Sequence, residues 1–200
     1  MTKNKDDIAR KEIIITGFGG QGIILAGKIL GSAAVLGDKK ESTLVQAYGP
    51  EARGGATSAQ VIISTSTIHY PYVRHPHVLA CMSQSGYDKF IGQLIEGGTL
   101  IIDPDLVKCE EDDPSVFAVP ATRIAEEMGR VMMANIIMIG FIAALTGVVS
   151  VKSCRQAVTD AVPKGTEKMN VEAFNKGCDH ANAVLKAREK KAMGKTGVSS

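Results

Sequence analysis

The sequence contains no tryptophan, and aromatic residues make up only 4% of its 200 residues. It therefore offers no stacking platform for single-stranded nucleic acid. The net charge is +2 and the basic residues are scattered, so the chain lacks the basic footprint that is typical of nucleic-acid-binding proteins. We expect no nucleic-acid partner.

Cysteine is scarce as well. The four cysteines contain no C-x-x-C pair and are widely spaced, at Cys81, Cys109, Cys154 and Cys178. This spacing argues against an iron–sulfur or zinc site and favours ordinary reduced thiols. Cys81 falls within a predicted buried strand without a neighbouring base, so we interpret it as an inert core thiol.

Residues that could carry catalysis or hold a metal are also missing from the pattern. His69, His75 and His77 lie close together, but no Asp, Glu or Cys stands beside them at ligand spacing. The chain has no nucleophile elbow, phosphate-loop lysine or zinc-protease motif. We therefore expect no catalytic residue and no metal ligand, which favours a subunit of a larger enzyme.

Two absences concern membranes and export. Residues 1–12 are polar and lack the apolar core of a secretory signal, so we expect a cytoplasmic protein. Residues 131–151 carry no charge and imitate a membrane span. However, Gly147 has the features of a helix C-cap and Ser150 those of the next N-cap, which leaves a helix over 132–146 of about fifteen residues. We predict a buried helix and no membrane anchor.

What is present is a glycine-rich turn between a strand pattern and a helix pattern. Ile13–Ile15 predict a strand buried on both faces. Gly17, Gly19 and Gly22 follow with the spacing G-x-G-x-x-G, ahead of apolar residues at helical intervals. In a dinucleotide-binding fold these glycines would make the tight turn, admit a phosphate and let the helix lie against the strand, respectively.

The end of the second predicted strand does not complete that fingerprint. This strand, residues 42–47, ends without the acidic residue that would hold a ribose, although Asp38 and Glu41 precede it and Glu51 follows it. A bound dinucleotide, a contact with another anion or ligand, and a purely structural turn all remain open.

Strand and helix patterns alternate along the chain. They predict a doubly wound, mostly parallel α/β sheet with flanking helices and a helical C-terminus, in a single Rossmann-like domain over residues 12–192. An antiparallel hairpin insertion is expected from residues 57–64 and 68–70. Residues 1–11 are predicted to form a flexible arm and residues 193–200 a flexible tail.

Two further local predictions concern how the sheet is connected. Residues 12–47 are predicted to form the first βαβ unit, and Ser85 with Asp88 is expected to begin a helix that runs to Leu94. Since ligands bind at the carboxyl ends of strands in such sheets, the loops 17–22, 48–55 and 83–85 should meet there.

The loop over residues 48–55 contains the best candidate for a charged contact. Arg53 supplies a planar cation suited to a carboxylate or a phosphate, and the neighbouring glycines would let a partner approach. Pairing of Arg53 with Glu51 to brace the loop is an equally good interpretation. The residues alone leave both open.

Several of these motifs together resemble the gamma subunit of 2-oxoacid:ferredoxin oxidoreductases. The resemblance covers residues 12–178 and rests on the glycine turn of 17–27, the loop Tyr48–Gly55 and the segment Val61–Pro71. The segments Thr122–Glu127 and Asn170–Gly177, with Asn135 in the apolar helix, look similar too. The loop of 48–55 looks most like that of the 2-oxoglutarate branch. His77 departs from the pattern, because the family often has Asp there.

The resemblance implies a multisubunit enzyme that decarboxylates a 2-oxoacid on thiamine diphosphate, passes electrons through iron–sulfur clusters to ferredoxin and delivers the acyl group to coenzyme A. It implies that thiamine diphosphate lies between the alpha and beta subunits, and that the clusters belong to the beta and ferredoxin-like subunits. The expected partners are these three subunits and ferredoxin, and this chain is not expected to bind a cofactor by itself. The sequence leaves open which 2-oxoacid is used and whether the isolated chain forms a homodimer.

The resemblance also implies a set of contacts to a cofactor or to the subunit cleft, with a coenzyme A phosphate or the partner backbone as the natural ligand. The residues expected to make them are Gly17, Gly19, Gly20, Gln21, Gly22, Tyr48, Glu51, Arg53, Gly54, Gly55, Ser83 and Gln84. A stand-alone protein that binds an NAD- or FAD-like ligand is the alternative, and a membrane-associated component is a third, weaker one.

Overall fold

The computed structural model describes residues 10–48, 56–109 and 115–196, with side chains up to Ala192. The strands are β1 Arg10–Phe18, β2 Glu41–Ala47, β3 Ala56–Ser64, β4 Val78–Cys81, β5 Thr99–Ile102 and β6 Val116–Ala118. The helices are α1 Ile23–Ser32, α2 Gln84–Phe90, α3 Ala121–Glu127, α4 Ala134–Thr146, α5 Val151–Ala161 and α6 Glu167–Thr196. A π-helical turn follows α1 over Ala33–Gly37, and 3₁₀ turns lie at Ile91–Gln93 and Val131–Met133.

The strands form one sheet in the order β2-β3-β1-β4-β5-β6. β1, β4, β5 and β6 pair in parallel, whereas β3 runs antiparallel to both β1 and β2. The predicted mostly parallel α/β sheet is confirmed. β2 has the direction of β1 but is not its neighbour, because β3 lies between them, so the predicted first βαβ unit is split.

The predicted hairpin was wrong in its second strand. β3 pairs with β2 on one edge and with β1 on the other, so no edge is left for residues 68–70. The backbone of this return segment is held by side chains instead. The Ile68 N–H donates a hydrogen bond to Glu41 Oε2 at 3.0 Å. The antiparallel hairpin of this fold is therefore β2–β3.

Both chain-end boundaries extend further than the sequence suggests. β1 begins at Arg10, two residues before the predicted start of the domain, and α6 continues to Thr196, beyond its predicted end. Residues 1–9 and 197–200 lie outside the described residues, so the predicted arm and tail remain predictions.

Alternate residues of β1 face two separate cores. Ile13 and Ile15 are fully buried in the larger core, against α1, α4, α5 and α6, whereas Ile14 faces a smaller core with Leu79 and Phe90. This confirms that the strand is buried on both faces, as its run of β-branched residues predicts. The larger core includes α4, which contacts the amino end of α1.

α4 lies within the uncharged segment 131–151, whose length and apolar character are those of a membrane span. Every residue from 134 to 143 is buried, and the helix ends at Gly147, which adopts φ +64°. Ser150 then caps α5, because its side chain accepts a hydrogen bond from the Ser153 N–H at 3.1 Å. The buried helix is confirmed. Among the residues that the structure describes, none of the helices is both long and apolar enough to cross a bilayer.

α4 and α6 cross with their backbones in contact. A Cβ added at Gly177 would collide with the carbonyl oxygen of Ile137, and one added at Gly140 would collide with that of Phe174. Cys178 donates an S–H hydrogen bond to the Gly140 carbonyl at 3.3 Å across the same crossing. The two glycines therefore let α6 cover the outer side of a helix that has no polar face.

Glu12 anchors the segment that returns from β3 to β4. Its Oε2 accepts hydrogen bonds from the N–H groups of Arg74 at 2.9 Å and His75 at 3.2 Å, and its Oε1 accepts from Arg10. His77 completes the anchor, since its Nδ1 accepts from the Glu12 N–H at 3.2 Å. Burial and nearby Lys11 lower the pKa of His77, which keeps this nitrogen free to accept. His77 thus has a structural role.

Gly177→Ala should lower the free energy of unfolding by about 2 kcal/mol, because the new methyl meets a backbone oxygen that cannot rotate away. Alanine is the better helix former by about 1 kcal/mol, which only partly offsets the collision. Urea denaturation measures the change. Gly92→Ala is the control: Gly92 has open space around its Cβ position and an ordinary φ. Equal stabilities of the two variants would contradict the crossing.

Glu12→Gln should reduce stability near neutral pH and make it less sensitive to acid. Burial raises the pKa of Glu12, but the hydrogen bonds from Arg74, His75 and Arg10 outweigh this, so the pKa lies below its ordinary value of 4.5. A lowered folded pKa stabilises the fold above the unfolded pKa, and this stabilisation is lost as the pH falls through the folded pKa. Denaturation midpoints of both proteins, measured from pH 7 to pH 3, should therefore converge. Parallel curves would refute this role.

Candidate functional site

The carboxyl ends of the parallel strands lie together at one edge of the sheet. In the registers, Thr16 is opposite Cys81, Cys81 is opposite Ile102, and Ile102 is opposite Ala118. We call the residues at and after these strand ends, 17–22, 82–85 and 103–108, together with Tyr48, the carboxyl rim. The structure therefore brings the loops 17–22 and 83–85 together at one edge, as predicted.

The glycine turn has a different internal geometry from the one its spacing suggests. Gly17 is still part of β1 and is buried, where a side chain would collide with Gln21 and Ile23. The left-handed residues are Gly20, with φ +90°, and Gly22, with φ +72°. The prediction that Gly17 makes the tight turn was wrong, because the strand continues to Phe18.

The close approach of helix and sheet also comes from another glycine. A Cβ at Gly27 would lie 2.6 Å from Ala59 Cβ and 2.9 Å from Leu44 Cδ1, so α1 rests directly on β2 and β3. The prediction that Gly22 serves this contact was wrong. A Cβ at Gly22 would instead collide with Asn135 of α4.

Gln21 braces the turn from within. Its Oε1 accepts a hydrogen bond from the Phe18 N–H at 2.6 Å, and its Nε2 donates to the Met82 carbonyl at 3.1 Å. The first bond closes the glycine turn and the second ties it to the end of β4. Both ends of this amide are therefore engaged within the protein.

Three backbone N–H groups of the turn have no such partner among the described residues. Gly19 and Gly20 are exposed, Gly22 is half-buried, and no acceptor among the described residues takes a hydrogen bond from their N–H groups. The turn leads into the first turn of α1, whose N–H groups and dipole also favour an anion. The arrangement can bind a phosphate or a carboxylate through backbone groups alone.

Asn135 supports the turn from α4, and reasoning from the sequence gave it no such task. Its Nδ2 donates to the Gly22 carbonyl at 3.1 Å, and the residue is only 3% exposed. The signal was present in the sequence, because Asn135 is a polar residue near the start of an otherwise apolar helix. Burying an amide there requires partners.

Ser83 and Gln84 both lie on the rim, but their polar groups are engaged structurally. The fully buried Ser83 caps α2 by accepting from the Gly86 N–H at 3.2 Å, so the prediction that Ser85 with Asp88 begins this helix was wrong. Gln84 accepts from the Lys108 N–H at 2.8 Å, which ties the end of β4 to the loop after β5.

Asp103 continues this bracing and was not among the predicted site residues. It is fully buried at the end of β5, and its Oδ2 accepts from the N–H of Thr122 at 2.8 Å and from its hydroxyl at 2.7 Å. Its Oδ1 accepts from the Asp105 N–H at 3.1 Å. An acid directly after an apolar strand was the available signal. Its bonds fix the amino end of α3.

Only the residues that flank the second glycine-bearing loop lie within the described ranges. Tyr48 is 68% exposed and its hydroxyl donates to Gln46 Oε1 at 2.8 Å. Ala47 is opposite Ser58 of β3, which is itself opposite Thr16, so the chain leaves β2 at the carboxyl edge. The remaining predicted contacts lie outside the described residues and stay predictions: Glu51, Arg53, Gly54 and Gly55.

The described residues offer little chemistry beyond binding. All four cysteines are free, and burial raises the pKa of the Cys81 and Cys154 thiols and that of Cys178 to about 11. Such thiols are poor nucleophiles. No group of three or more His, Cys, Asp or Glu residues within the described ranges could hold a metal ion.

Comparison with known proteins gives consistent matches over most of the chain. The pyruvate ferredoxin/flavodoxin oxidoreductase family matches residues 12–180. A relative named 2-oxoglutarate synthase subunit KorC, from Methanocaldococcus jannaschii, is 51% identical over 176 residues, which cover 86% of this chain and 94% of the relative.

Solved structures agree with this assignment. The gamma subunit of a keto/oxoacid ferredoxin oxidoreductase from Geobacter sulfurreducens is 39% identical, with a TM-score of 0.77 over 86% of this chain and 99% of that one. The 2-oxoglutarate:ferredoxin oxidoreductase of Magnetococcus marinus, solved with 2-oxoglutarate, coenzyme A and succinyl-CoA bound, reaches the same TM-score of 0.77 at 23% identity. This match covers 88% of this chain and 31% of that one, and it bears on the fold alone.

Gln21→Ala should lower the free energy of unfolding by about 1–2 kcal/mol, because two hydrogen bonds are lost and the Met82 carbonyl loses a donor. Hydrogen exchange of the Phe18 amide should also become faster. Gln93→Ala is the matched control, since Gln93 is exposed and its amide has no partner in the part of the chain that the structure describes. An unchanged exchange rate at Phe18 would show that the amide does not hold the turn.

Proposed function

The chain belongs to the pyruvate ferredoxin/flavodoxin oxidoreductase family, as the gamma subunit of a 2-oxoglutarate:ferredoxin oxidoreductase, and we propose that its carboxyl rim contacts coenzyme A in that complex. The complex oxidatively decarboxylates 2-oxoglutarate, transfers the acyl group to coenzyme A and passes the electrons to ferredoxin. Partner subunits supply the reacting groups, thiamine diphosphate and the iron–sulfur clusters. This chain supplies a binding surface.

The observation that carries the proposal is the exposed glycine turn, where three backbone N–H groups have no acceptor among the described residues. Gly19, Gly20 and Gly22 present N–H groups at the amino end of α1, and Gln21 holds the turn in one conformation. Coenzyme A carries three phosphate groups, and a rigid set of N–H groups at a helix start suits a phosphate. Because the turn is already braced, little ordering is needed on binding.

The loop over residues 49–55 would supply the charge that the turn lacks. Its flanking residues Tyr48 and Ala56 lie at the same edge of the sheet as Phe18, the residue opposite Ala56. Arg53 within this loop could give a phosphate a charge-assisted, bidentate contact, which is stronger than the backbone contacts alone. In this proposal the turn orients the phosphate and Arg53 neutralises it.

The stand-alone dinucleotide-binding alternative receives less support from the topology. In that fold, the strand beside β1 ends at the carboxyl edge with an acid that holds the ribose. Here the neighbour on that side is β3, which runs in the opposite direction, and β2 ends in Gln46-Ala47.

We also propose a cytoplasmic location, which the four free cysteines support.

Arg53→Ala, tested in the reconstituted complex, should raise the KM for coenzyme A by about ten-fold or more, because a charge-assisted hydrogen bond contributes about 1.5–3 kcal/mol. The KM for 2-oxoglutarate should not change. Steady-state kinetics with each substrate varied in turn gives both values. Arg74→Ala is the control, since Arg74 is an exposed arginine that packs over the Tyr70 ring in the β3–β4 return segment, away from the rim. An unchanged KM for coenzyme A in Arg53→Ala would remove Arg53 from the site.

A further inference from the structure

A cavity of about 370 Å³ opens beside the glycine turn, on the helical side of the sheet. Its walls come from the amino ends of α1, α4 and α6 and from the α5–α6 connection, and they are mostly apolar, with Leu25, Met133, Ile136 and Met169 among them. It is large enough for more than one side chain. No task assigned to the carboxyl rim uses it.

Two exposed apolar side chains precede α4 at this place. Val131 is 57% exposed and Met132, which lines the cavity, is 78% exposed, the largest exposure among the large apolar residues of the described chain. A cavity beside an exposed apolar side chain is typical of a protein–protein interface. A protein partner could cover both, whereas a small molecule would fill only the cavity. Large apolar side chains that protrude together mark interaction sites.

One buried polar atom of the cavity lacks a hydrogen-bond partner among the described residues, although Thr166 and Asn170 in the same lining have theirs. Asn135 is only 3% exposed, and its Oδ1 has no hydrogen-bond donor within reach in the described residues. The amide cannot simply turn over, because its Nδ2 is held by the Gly22 carbonyl. Arg130 also lines the cavity, and no acidic residue does. The lining therefore contains a buried acceptor without a partner, a cation and the positive end of α1.

We propose that this cavity and the Val131–Met132 protrusion form the anchor by which a partner subunit of the same complex holds this chain. The fitting segment carries an apolar side chain for the cavity, a hydrogen-bond donor for Asn135 and a carboxylate for Arg130. This inference rests on the proposed function only in that the chain works within a complex. It does not depend on where coenzyme A binds.

A second copy of this chain would fit the surface less well. An isologous contact would bring two Arg130 side chains and two amino ends of α1 towards one another, with no acid in either lining to offset them. Continuity with the rim also favours a partner subunit, since Gly22 belongs to both surfaces. A subunit seated here would lie directly beside the glycine turn.

The test is Met132→Asp in the full complex, with association of this chain to its partner subunits measured by native mass spectrometry in the absence of substrate and coenzyme A. We expect an affinity loss of about ten-fold or more, because a charge would enter an apolar contact. Leu36→Asp is the matched control: Leu36 is 70% exposed and follows the other end of α1. Met132→Leu should retain the wild-type affinity.

An unchanged affinity in Met132→Asp, or an equal loss in Leu36→Asp, would overturn the inference. So would unchanged association together with a raised KM for coenzyme A, which would assign the cavity to a small molecule. Both residues are exposed, so thermal unfolding should show that the variants fold normally. The Arg53→Ala experiment reads the KM of an assembled complex, so failure there leaves the association result intact, and the reverse also holds.

Discussion

The complete burial of α4 determines how the other elements of this structure pack. α4 is apolar on all sides, so it must be covered by the sheet on one side and by α6 on the other, and Gly140 and Gly177 allow the two helix backbones to touch. The same helix delivers Asn135 to the Gly22 carbonyl. Packing in the middle of the core thereby fixes the glycine turn at its edge.

The rim is braced by side chains that each reach a neighbouring loop or helix start. Gln21 ties the end of β1 to Met82, Gln84 ties the end of β4 to Lys108, and Asp103 ties the end of β5 to Thr122. Gln21 and Gln84, which the sequence analysis marks as ligand contacts, are thus engaged in holding the edge together. The glycine turn then offers a ligand backbone N–H groups, which can bind and orient an anion.

The positions of most strands and helices could be predicted because they depend on local signals: apolar runs for Ile13–Ile15, the C-cap at Gly147 and the N-cap at Ser150. The insertion of β3 between β1 and β2 could not, since strand order depends on non-local pairing that alternation in a single strand does not encode. The spacing G-x-G-x-x-G likewise gave no information on φ, so Gly17 and Gly22 received the wrong roles. Ser83 and Ser85 are two residues apart with similar cap chemistry, and only the geometry separates them. The rim position of Arg53 stays a prediction.

Gly22 connects the two proposed surfaces through the two peptide units on either side of its Cα. Its carbonyl is held by Asn135 at the wall of the cavity, while its N–H belongs to the donor set of the rim. A partner side chain that gives Asn135 Oδ1 a donor would restrain this amide, and with it the orientation of the Gly22 carbonyl and the backbone conformation of Gly22. By linkage, a ligand that favours the same orientation must strengthen the partner contact by the same factor. Coenzyme A binding and subunit attachment, placed on either side of one glycine, would then be energetically coupled without any large movement of the fold.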